Sequence, residues 1–497
     1  MAPAATAILN ESPNETSLKT PLPSSTQNGK SNTSQYHAAS TQEAIHSEKT
    51  HAAHNYHPLP IVFSRASGVS VWDPEGKEYL DFLSAYGAVN QGHCHPELVK
   101  ALTDQAARLT LSSRAFYNDV FPKFAEFVTD FFGFEMVLPM NTGAEAVETA
   151  IKLARKWGYK TKGIPQNQAL VLSVTENFHG RTFSAISMSQ DPESRDNYGP
   201  YLPNIGCECP ATKQLLPFND ISLLEAAFSA HGDRIAGFLV EPIQGEAGIV
   251  VPEDSYLTQV RALCDKFNVL MICDEIQSGI ARTGKLLCHE WSGIKPDLVL
   301  LGKALSGGMY PVSCVLGSKD VMLTLEPGTH GSTYGGNPLG CAVAIRALEV
   351  VRDENMVSRA DYLGKLFRKS LENLNSPIIK MVRGKGLFNA MIIDETKTGN
   401  HSAWDLCLLM KEKGLLVGRA VKIAHVKKNG EADSLKAKPT HQNIIRLTPP
   451  CVITEEQIYT AVRIIKSALE ELPDLKGRKE DEVIPAPEKH VKITIEN

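Results

Sequence analysis

Two stretches decide the fold of this chain: Val269-Leu-Met-Ile-Cys-Asp-Glu-Ile-Gln277 and Asp297-Leu-Val-Leu-Leu-Gly-Lys303. Each contains a short apolar run typical of a buried strand, and each run is followed by polar or charged residues. In open α/β sheets, ligands bind at the carboxyl ends of the strands. The two stretches therefore predict that a carboxylate, Asp274, and an amine, Lys303, lie at the same edge of a sheet.

A lysine and an aspartate in such a place have a specific chemical use. Burial lowers the pKa of a lysine amine, which then attacks carbonyl groups, and a buried carboxylate keeps a heterocyclic nitrogen protonated. Lys303 and Asp274 are thus compatible with a pyridoxal-phosphate (PLP) site, where the lysine holds the aldehyde and the aspartate keeps the ring an electron sink. The alternative is a structural salt bridge between them, since such pairs also perturb pKa values.

The surrounding sequence indicates an α/β protein. Short apolar runs alternate with amphipathic stretches from about residue 130, which predicts helices flanking a mainly parallel sheet. Further strands are predicted at residues 169–174 and 235–240, and a helix at residues 144–158. We expect a disordered tail over residues 1–50, an N-terminal segment over 51–105 that packs on both domains, a large domain over 106–355, a smaller α/β C-terminal domain over 356–474 and a charged tail over 475–497.

Composition excludes several classes of protein. The 497 residues include 51 Lys+Arg and 56 Asp+Glu, and the net charge of −5 provides no basic surface for nucleic acid. The apolar runs are too short to cross a membrane. Ten cysteines without a CxxC pair indicate reduced thiols. His93-Cys-His95 lacks a second cluster of ligands, so we expect no metal site.

The first 50 residues are rich in Ser, Thr, Asn, Gln and Pro. The first arginine is Arg65, and acidic residues occur early, at Glu11 and Glu15. Mitochondrial presequences are rich in arginine and poor in acids. We therefore expect a cytoplasmic protein, with the mitochondrial matrix as the less favoured alternative.

Two glycine-containing runs are candidates for phosphate binding. Asn141-Thr-Gly-Ala-Glu145 opens the predicted helix, where free N–H groups and the helix dipole attract anions. The alternative is an ordinary helix cap. The run Gly331-Ser-Thr-Tyr-Gly-Gly-Asn-Pro338 offers the Thr333 hydroxyl, and its alternative is a tight surface turn.

Two further runs follow predicted strands. In Asn177-Phe-His-Gly-Arg-Thr182, Phe178 is able to stack on a planar ring, unless it belongs to the core, and Arg181 is able to bind a carboxylate. Glu241-Pro-Ile-Gln-Gly-Glu246 carries two acids that need partners if buried, and one candidate partner is Arg446.

In this order, the segments resemble the class III aminotransferases of PLP fold type I, from about His54 to Leu472. The match comprises several long stretches in the right order, which makes a chance similarity implausible. The most specific are His54-Asn-Tyr-His-Pro-Leu-Pro60, Ala88-Val-Asn-Gln-Gly-His-Cys-His-Pro96, Val240-Glu-Pro-Ile-Gln-Gly-Glu-Ala-Gly248, Leu301-Gly-Lys-Ala-Leu-Ser-Gly-Gly308 and His330-Gly-Ser-Thr-Tyr-Gly-Gly-Asn-Pro-Leu-Gly340.

The resemblance implies roles for individual residues around PLP. Lys303 would be the Schiff-base lysine and proton shuttle, Asp274 would pair with the pyridine nitrogen, and Gln277 would bond the phenolic oxygen. The other implied cofactor contacts are Gly143 and Ala144 at the phosphate, Phe178 stacked on the ring with His179 beside it, and Thr333 reaching the phosphate from the neighbouring subunit. An obligate homodimer is therefore implied, with higher assembly possible.

The resemblance also implies the substrates, L-ornithine and 2-oxoglutarate. Tyr56 and Arg181 would recognise carboxylates, Tyr86 would shape the ornithine pocket, and Glu246 with Arg446 would form a switch between a diamine and a dicarboxylate. In a ping-pong reaction, the δ-amino group of ornithine would pass to 2-oxoglutarate, giving glutamate and a semialdehyde that cyclises to pyrroline-5-carboxylate. The alternatives are another ω-aminotransferase, acting on acetylornithine or 4-aminobutyrate, and a PLP-binding scaffold without turnover.

The sequence departs from the family pattern in two places. Some relatives carry Trp where this chain has His179, for which we expect a spacer role. A basic stretch over residues 417–436 also intervenes where relatives pass almost directly to the segment before Arg446. We interpret it as a surface excursion or an artefact of the gene model.

Overall fold

The computed structural model describes residues 36–419 and 443–477. The strands are β1 Arg65–Ser67, β2 Ser70–Trp72, β3 Glu78–Asp81, β4 Met136–Met140, β5 Leu170–Leu172, β6 Ile205–Gly206, β7 Ile235–Val240, β8 Leu270–Asp274, β9 Leu298–Leu301, β10 Ser313–Gly317, β11 Ile379–Lys385, β12 Phe388–Ile393, β13 Leu415–Leu416, β14 Gly418–Arg419 and β15 Ile444–Leu447. The helices are α1 Thr41–His51, α2 Ser84–Gly87, α3 Pro96–Ala106, α4 Phe121–Phe132, α5 Gly143–Trp157, α6 Phe183–Met188, α7 Pro192–Arg195, α8 Ile221–His231, α9 Tyr256–Phe267, α10 Lys319–Met322, α11 Pro338–Asp353, α12 Met356–Glu372, α13 Ala403–Glu412 and α14 Glu455–Glu471.

The largest sheet has seven strands in the order β4-β10-β9-β8-β7-β5-β6. Strands β9, β8, β7, β5 and β6 are parallel, whereas β10 is antiparallel to both β9 and β4. Strands β5, β7, β8 and β9 are buried along their whole length, as expected for parallel strands covered on both faces. The predicted mainly parallel sheet is confirmed.

Helices cover both faces of this sheet. One face packs against α5, through Val147 and Ile151, and the other packs against α8 and α9, through Phe228 and Val260. Successive residues of a strand point to opposite faces, so Phe238 and Leu239 of β7 belong to different core clusters. These layers confirm the α/β fold class.

The predicted elements of the sheet differ from the observed ones only at their ends. The strand predicted over residues 169–174 is Leu170–Leu172, that over 269–273 is Leu270–Asp274, and the helix predicted over 144–158 is Gly143–Trp157. Hydrogen bonding at the ends of an element depends on its neighbours, which a local pattern does not contain.

A four-stranded antiparallel sheet follows later in the chain, in the order β11-β12-β15-β14. Helices α12 and α14 belong to the apolar core beside it. Arg446 lies in β15, opposite Ala390 of β12 and Gly418 of β14. This sheet agrees with the expected smaller α/β unit, and the exact boundaries between domains stay predictions.

Two expectations are wrong over part of their length. Residues 41–50 of the expected disordered tail lie in helix α1, which Ser40 caps by accepting a hydrogen bond from the Glu43 N–H. Thr41 donates from its N–H and hydroxyl to Glu75, at 2.8 and 2.6 Å. Because α1 buries no residue, a sequence pattern based on burial does not detect it. Residues 1–35 lie outside the described part of the chain.

The surface excursion expected over residues 417–436 is wrong for its first three residues. Val417 is buried, and Gly418 and Arg419 form β14, which pairs with β15. Only the pairing partner, more than 20 residues later in the chain, identifies this segment as a strand. Residues 420–436 lie outside the described residues.

The His-Cys-His run has structural partners. His93 contacts Asp81 at 2.8 Å, and His95 contacts Glu354 at 2.9 Å. Over residues 36–419 and 443–477, no cluster of side chains suited to a metal ion occurs. Over the same two ranges, every helix is too short or too polar to cross a bilayer.

Candidate active site

A cavity of about 190 Å³ lies at the carboxyl ends of β8 and β9. These strands are neighbours and parallel, so the polar residues that follow them meet at one edge of the sheet. The side chains and backbone that line the cavity belong to Gly143, Ala144, Phe178, His179, Gly180, Glu241, Ile243, Asp274, Ile276, Gln277, Ser278 and Lys303.

Lys303 lies in this cavity two residues after β9. Its φ of +44° is in the left-handed region, which is uncommon for a lysine and indicates backbone strain of the kind that clusters at functional sites. Burial lowers the pKa of the amine, against the opposing charges of Glu246 and Asp274. Among the described residues, none forms a hydrogen bond or ion pair with this amine. Lys303 therefore presents a nucleophilic nitrogen to the cavity.

Asp274, the last residue of β8, is buried and held by two donors. Its Oδ2 accepts a hydrogen bond from His179 Nδ1 at 2.7 Å, and its Oδ1 accepts one from the Ile276 N–H at 3.1 Å. His179 Nε2 lies 3.2 Å from the Ser173 hydroxyl. The expected spacer role of His179 is thus wrong, because its ring is buried and braces the carboxylate.

The chain of buried polar groups continues to Glu241, which follows β7. Its carboxylate accepts hydrogen bonds from the Phe178 N–H at 3.0 Å and from the Gly245 N–H at 3.2 Å. Burial raises the pKa of Glu241 to about 7, with Asp274 adding to the effect and His179 opposing it. The sequence identified Glu241 as an acid in need of a partner but not as a link between two loops of the site.

The start of α5 faces the same cavity. Thr142 and Glu145 form a reciprocal capping box, with Glu145 N–H bonded to Thr142 Oγ1 at 3.2 Å and Thr142 N–H bonded to Glu145 Oε2 at 2.8 Å. The first N–H groups of a helix have no partner within it, and those of Gly143 and Ala144 lie at the cavity. A Cβ at Gly143 would lie 3.0 Å from the Ile276 side chain, so glycine fits best there.

A second group of residues surrounds the cavity mouth. Arg446 Nη1 donates to Glu246 Oε1 at 2.7 Å, and its guanidinium lies over the Tyr86 ring at 5.0 Å. Gln277 Nε2 donates to Glu246 Oε1 at 3.2 Å and to the Tyr86 carbonyl at 3.3 Å. Burial would raise the pKa of Glu246, but Arg446 and Gln277 hold it below its ordinary value. Glu246 and Arg446 therefore form an ion pair, and their opposite charges largely cancel.

Three candidates are exposed and outside the cavity lining, although Arg181 directly follows Gly180, which belongs to it. Tyr56 is 71% exposed, and Arg181 and Thr333 are also exposed. None of these three described residues belongs to the cavity lining. Within one chain, the structure brings together the candidates for the ring, the phosphate and the switch. The roles of all these site residues, including Tyr56, Arg181 and Thr333, stay predictions.

Comparison with known proteins identifies relatives over most of the chain. The family described as Aminotransferase class-III matches residues 51–469. The chain is 71% identical to the ornithine aminotransferase of Emericella nidulans over 462 residues, which cover 93% of this chain and 97% of that protein. It is 51% identical to the mitochondrial ornithine aminotransferase of Oryza sativa subsp. japonica, with 88% of each chain covered.

Solved structures give the same result. An ornithine aminotransferase from Toxoplasma gondii, with PLP at partial occupancy in its active site, has a TM-score of 0.79 and 41% identity over 88% of this chain and 95% of that one. An acetylornithine aminotransferase from Elizabethkingia anophelis has a TM-score of 0.74 and 48% identity, covering 87% of this chain and 100% of the other.

Proposed function

The chain belongs to the class-III aminotransferase family, and from that premise we propose that it is an ornithine aminotransferase. It transfers the δ-amino group of L-ornithine to 2-oxoglutarate in a ping-pong reaction. The products are glutamate and glutamate-5-semialdehyde, which cyclises to pyrroline-5-carboxylate.

One observation carries the proposal: the Glu246–Arg446 pair at 2.7 Å stands beside the cavity that holds Lys303 and Asp274. A transaminase for these two substrates has to accept a cationic diamine first and a dicarboxylate second. Paired with Glu246, Arg446 presents little net charge to ornithine. When Glu246 swings away, the freed guanidinium binds a carboxylate of 2-oxoglutarate in a bidentate manner.

The cavity fits PLP. The Lys303 amine is buried without a hydrogen-bonding partner among the described residues, as an amine reserved for an aldehyde should be. Asp274 is suited to the pyridine nitrogen, Gln277 to the phenolic oxygen and Phe178 to the ring face. The N–H groups of Gly143 and Ala144 are suited to the phosphate.

When bound, PLP supplies an electrophilic aldehyde and an electron-withdrawing ring. The chain's own residues then handle protons and charge. With PLP in place, the Lys303 amine would act as the general base that removes a proton from the δ-carbon of the donor and as the general acid that delivers it to the cofactor carbon that bore the aldehyde. Asp274, held by His179, would face the ring nitrogen of the bound cofactor, and Tyr86 would close the substrate side of the pocket.

We also propose a homodimer with shared active sites. Thr333 is exposed and outside the cavity of its own chain, although the family pattern assigns it to the phosphate. A position at an interface between two subunits reconciles these observations, with Thr333 of the partner subunit completing each site.

For the location, we propose the cytoplasm. The residues before Arg65 contain acidic side chains and no arginine, in contrast to the usual composition of a mitochondrial presequence. The rice relative is named as mitochondrial, so the proposal needs a direct test. Imaging of the full chain fused to a fluorescent protein at its C-terminus should give a diffuse cytoplasmic signal, and overlap with a mitochondrial marker would contradict it.

The reaction is tested by following the absorbance of the purified protein. Addition of ornithine should abolish the band of the bound cofactor, and later addition of 2-oxoglutarate should restore it, with one glutamate released per cycle. Lys303→Ala should show neither change. A PLP-binding scaffold would leave the band unaltered in the wild type as well.

The second candidate is an acetylornithine aminotransferase, supported by the 48% identical structure from Elizabethkingia anophelis. Amine donors discriminate the two proposals. With ornithine, acetylornithine, lysine and 4-aminobutyrate compared under the same conditions, ornithine should have the largest kcat/KM. A larger value for acetylornithine would favour the second candidate.

A further inference from the structure

The residues that carry Tyr86 form a left-handed turn. Ser84, Ala85 and Tyr86 have φ values of +46°, +49° and +59°, and Gly87 follows at +84°. A left-handed conformation is unfavourable for any residue with a side chain, because its Cβ comes too close to the following carbonyl oxygen. Three such residues in succession persist only where the surrounding structure fixes them, and such strain is typical of functional sites.

A second strained pair precedes Arg282. Ile280 and Ala281 have φ values of +54° and +69°, and a β-branched residue in this region is a genuine outlier. The Asn90 side chain holds this second segment, since its Nδ2 donates to the Ile280 carbonyl at 2.8 Å and its Oδ1 accepts from Arg282. The bond from Arg282 to the Ser84 hydroxyl, at 3.3 Å, joins the two strained segments. We call Ser84, Asn90 and Arg282 the Arg282 cluster.

Arg282 is the centre of this cluster. It is completely buried, and no carboxylate within the two described ranges lies at ion-pair distance from it. Burial lowers the pKa of its guanidinium, so the charge depends on neutral acceptors. These are Asn90 Oδ1 (from Nε at 3.1 Å and also from Nη2), Ser84 Oγ at 3.3 Å, the Leu387 carbonyl at 3.1 Å and the Pro449 carbonyl at 2.6 Å.

Two of these acceptors, Ser84 and Pro449, belong to the segments that carry Tyr86 and Arg446. Ser84 lies two residues before Tyr86, and its hydroxyl donates to the Thr448 carbonyl at 2.5 Å. Thr448 and Pro449 directly follow β15, which carries Arg446. Arg282 itself follows Gln277 in the same loop. One guanidinium therefore fixes the relative positions of the segments that carry Tyr86, Arg446 and Gln277.

We infer that Arg282 is a positioning residue that sets the donor specificity of the pocket by holding the Ser84–Gly87 turn against the segment after Arg446. The inference rests on the proposed function. Arg282 touches neither the cavity nor Lys303, and it acts through the placement of the Tyr86 ring beneath Arg446. A displacement of reacting groups by about 1 Å reduces the rate of the catalysed reaction by up to about a hundredfold.

The test compares Arg282→Lys and Ser84→Ala with Arg368→Lys. Lysine keeps the charge but cannot reproduce the planar fork of donors. Ser84→Ala removes only the hydroxyl, so it serves as the mild variant should Arg282→Lys fail to fold. Arg368 is the matched control, since it is a half-buried arginine that bonds the Gly386 carbonyl at 2.8 Å and Asn389 at 2.7 Å. It thus contacts the segment beside Leu387 but forms no hydrogen bond with the Ser84–Gly87 turn.

Two measurements are made on each PLP-loaded protein. The first is the rate constant for amino transfer from ornithine divided by that from 4-aminobutyrate, which lacks the α-ammonium group and relies less on the pocket. We expect this ratio to fall by about tenfold or more in Arg282→Lys, and less in Ser84→Ala. The second is hydrogen exchange of the peptide over residues 82–90, which should become faster in the same variants and stay unchanged in Arg368→Lys.

The inference requires both changes. An unchanged ratio in both variants overturns it, and faster exchange with an unchanged ratio also overturns it, because the role of Arg282 is then purely structural. A wild-type protein without activity on ornithine would instead refute the proposed function, and this inference with it.

Discussion

At the scale of single residues, two partly buried lysines show how the hydrogen-bonding partners of a side chain determine its role. Lys162 Nζ donates to the carbonyls of Gly232, Ile235 and Phe267 at 2.6, 2.7 and 2.8 Å. Lys303 has no such partner among the residues that the structure describes. Burial lowers the pKa of both amines, to about 8 for Lys162. The first amine joins loops of the fold, and the second remains available for chemistry.

Replacing each lysine by methionine should separate these roles. Lys162→Met leaves three carbonyls without their donor, so the free energy of unfolding should fall by about 2 kcal/mol, with turnover retained. Lys303→Met removes the nucleophile and should abolish turnover, while the free energy of unfolding changes by less than about 1 kcal/mol. Urea unfolding and steady-state kinetics measure the two effects, and equal losses of stability in the two variants would contradict this view.

Glu246 is expected to control the choice between substrates. In Glu246→Gln, the guanidinium of Arg446 keeps its charge and loses its anionic partner. The KM for 2-oxoglutarate should therefore fall, and the kcat/KM for ornithine should fall by about tenfold, because its cationic group meets an uncompensated positive charge. Steady-state kinetics with ornithine and with 2-oxoglutarate test this. If kcat/KM fell to the same extent for both substrates, Glu246 would not act as a switch between them. Glu148→Gln, at a residue outside the cavity lining, is the control.

Glu241 should make stability depend on pH. Its pKa in the folded protein is about 7, against 4.5 for the ordinary group, so the folded state binds more protons between these values. Stability from this group is therefore present below pH 4.5 and is lost as pH rises to about 7. Glu241→Gln cannot ionise, and the free energy of unfolding should decline less over this range, by on the order of 2 kcal/mol.

Urea unfolding of the wild type and of Glu241→Gln at several pH values measures that difference. The other charged groups near Glu241, His179 and Asp274, are present in both proteins, so their contributions cancel to first order. Identical pH dependence in the two proteins would show that Glu241 is already ionised in the folded state.

At the scale of elements, helix α5 combines a cap with an anion site. Glu145 Oε2 accepts from the N–H groups of Asn141 and Thr142, both at 2.8 Å, and thereby fixes the start of the helix at the cavity. Glu145→Ala should lower the free energy of unfolding by about 1 kcal/mol. It should also weaken PLP binding, because the N–H groups of Gly143 and Ala144 lose their fixed direction.

Chemical denaturation and titration of the cofactor-free protein with PLP measure the two quantities. Lys466→Ala on the exposed side of α14 is the control, since within residues 36–419 and 443–477 Lys466 forms an ion pair only with Glu470, at 3.8 Å. Reduced stability without weaker PLP binding would assign Glu145 to capping alone.

An element could be predicted where its own residues determine its conformation, and it could not be predicted where residues distant in sequence determine it. Strands β8 and β9 are continuous apolar runs in the sequence, and because both are parallel and adjacent, Asp274 and Lys303 were expected at one edge. The turn Ser84–Gly87 could not be predicted, since Ser, Ala and Tyr have no preference for positive φ. Its conformation depends on Arg282, which is almost 200 residues away in sequence.

The same reason explains the other differences. His179 was expected to be a spacer because its partner, Asp274, lies 95 residues later. Helix α1 is held by a cap and by Glu75 rather than by an apolar face. Polar contacts between residues that are distant in sequence thus determine structural features that a local sequence pattern does not reveal.

At the scale of the whole molecule, the site combines parts of different sheets. The seven-stranded sheet provides Asp274 and Lys303, whereas the four-stranded sheet provides Arg446 through β15. Arg282 and the Ser84–Gly87 turn lie between them. Under the proposed function, substrate recognition would therefore depend on contacts between separate layers of the fold, whereas cofactor binding would depend mainly on the seven-stranded sheet.

A shared site in a homodimer leads to a prediction about mixed dimers. Thr333→Ala should weaken PLP binding by about tenfold, because one hydrogen bond to a charged phosphate is lost, and activity at limiting PLP should fall. Lys303→Ala should be inactive at any concentration of PLP. If Thr333 serves the site of the other chain, a mixed dimer of the two variants contains one intact site, with Lys303 from one chain and Thr333 from the other.

Unfolding the two variants together and refolding them as a mixture should therefore restore activity at limiting PLP. For a one-to-one mixture, half of the dimers are mixed and each has one of two sites intact, so about a quarter of the wild-type activity is expected if pairing is random. Separately refolded variants, combined only afterwards, provide the control. If Thr333 instead acted within its own chain, no mixed dimer would contain an intact site, and the mixture would have only the activity of its separate components.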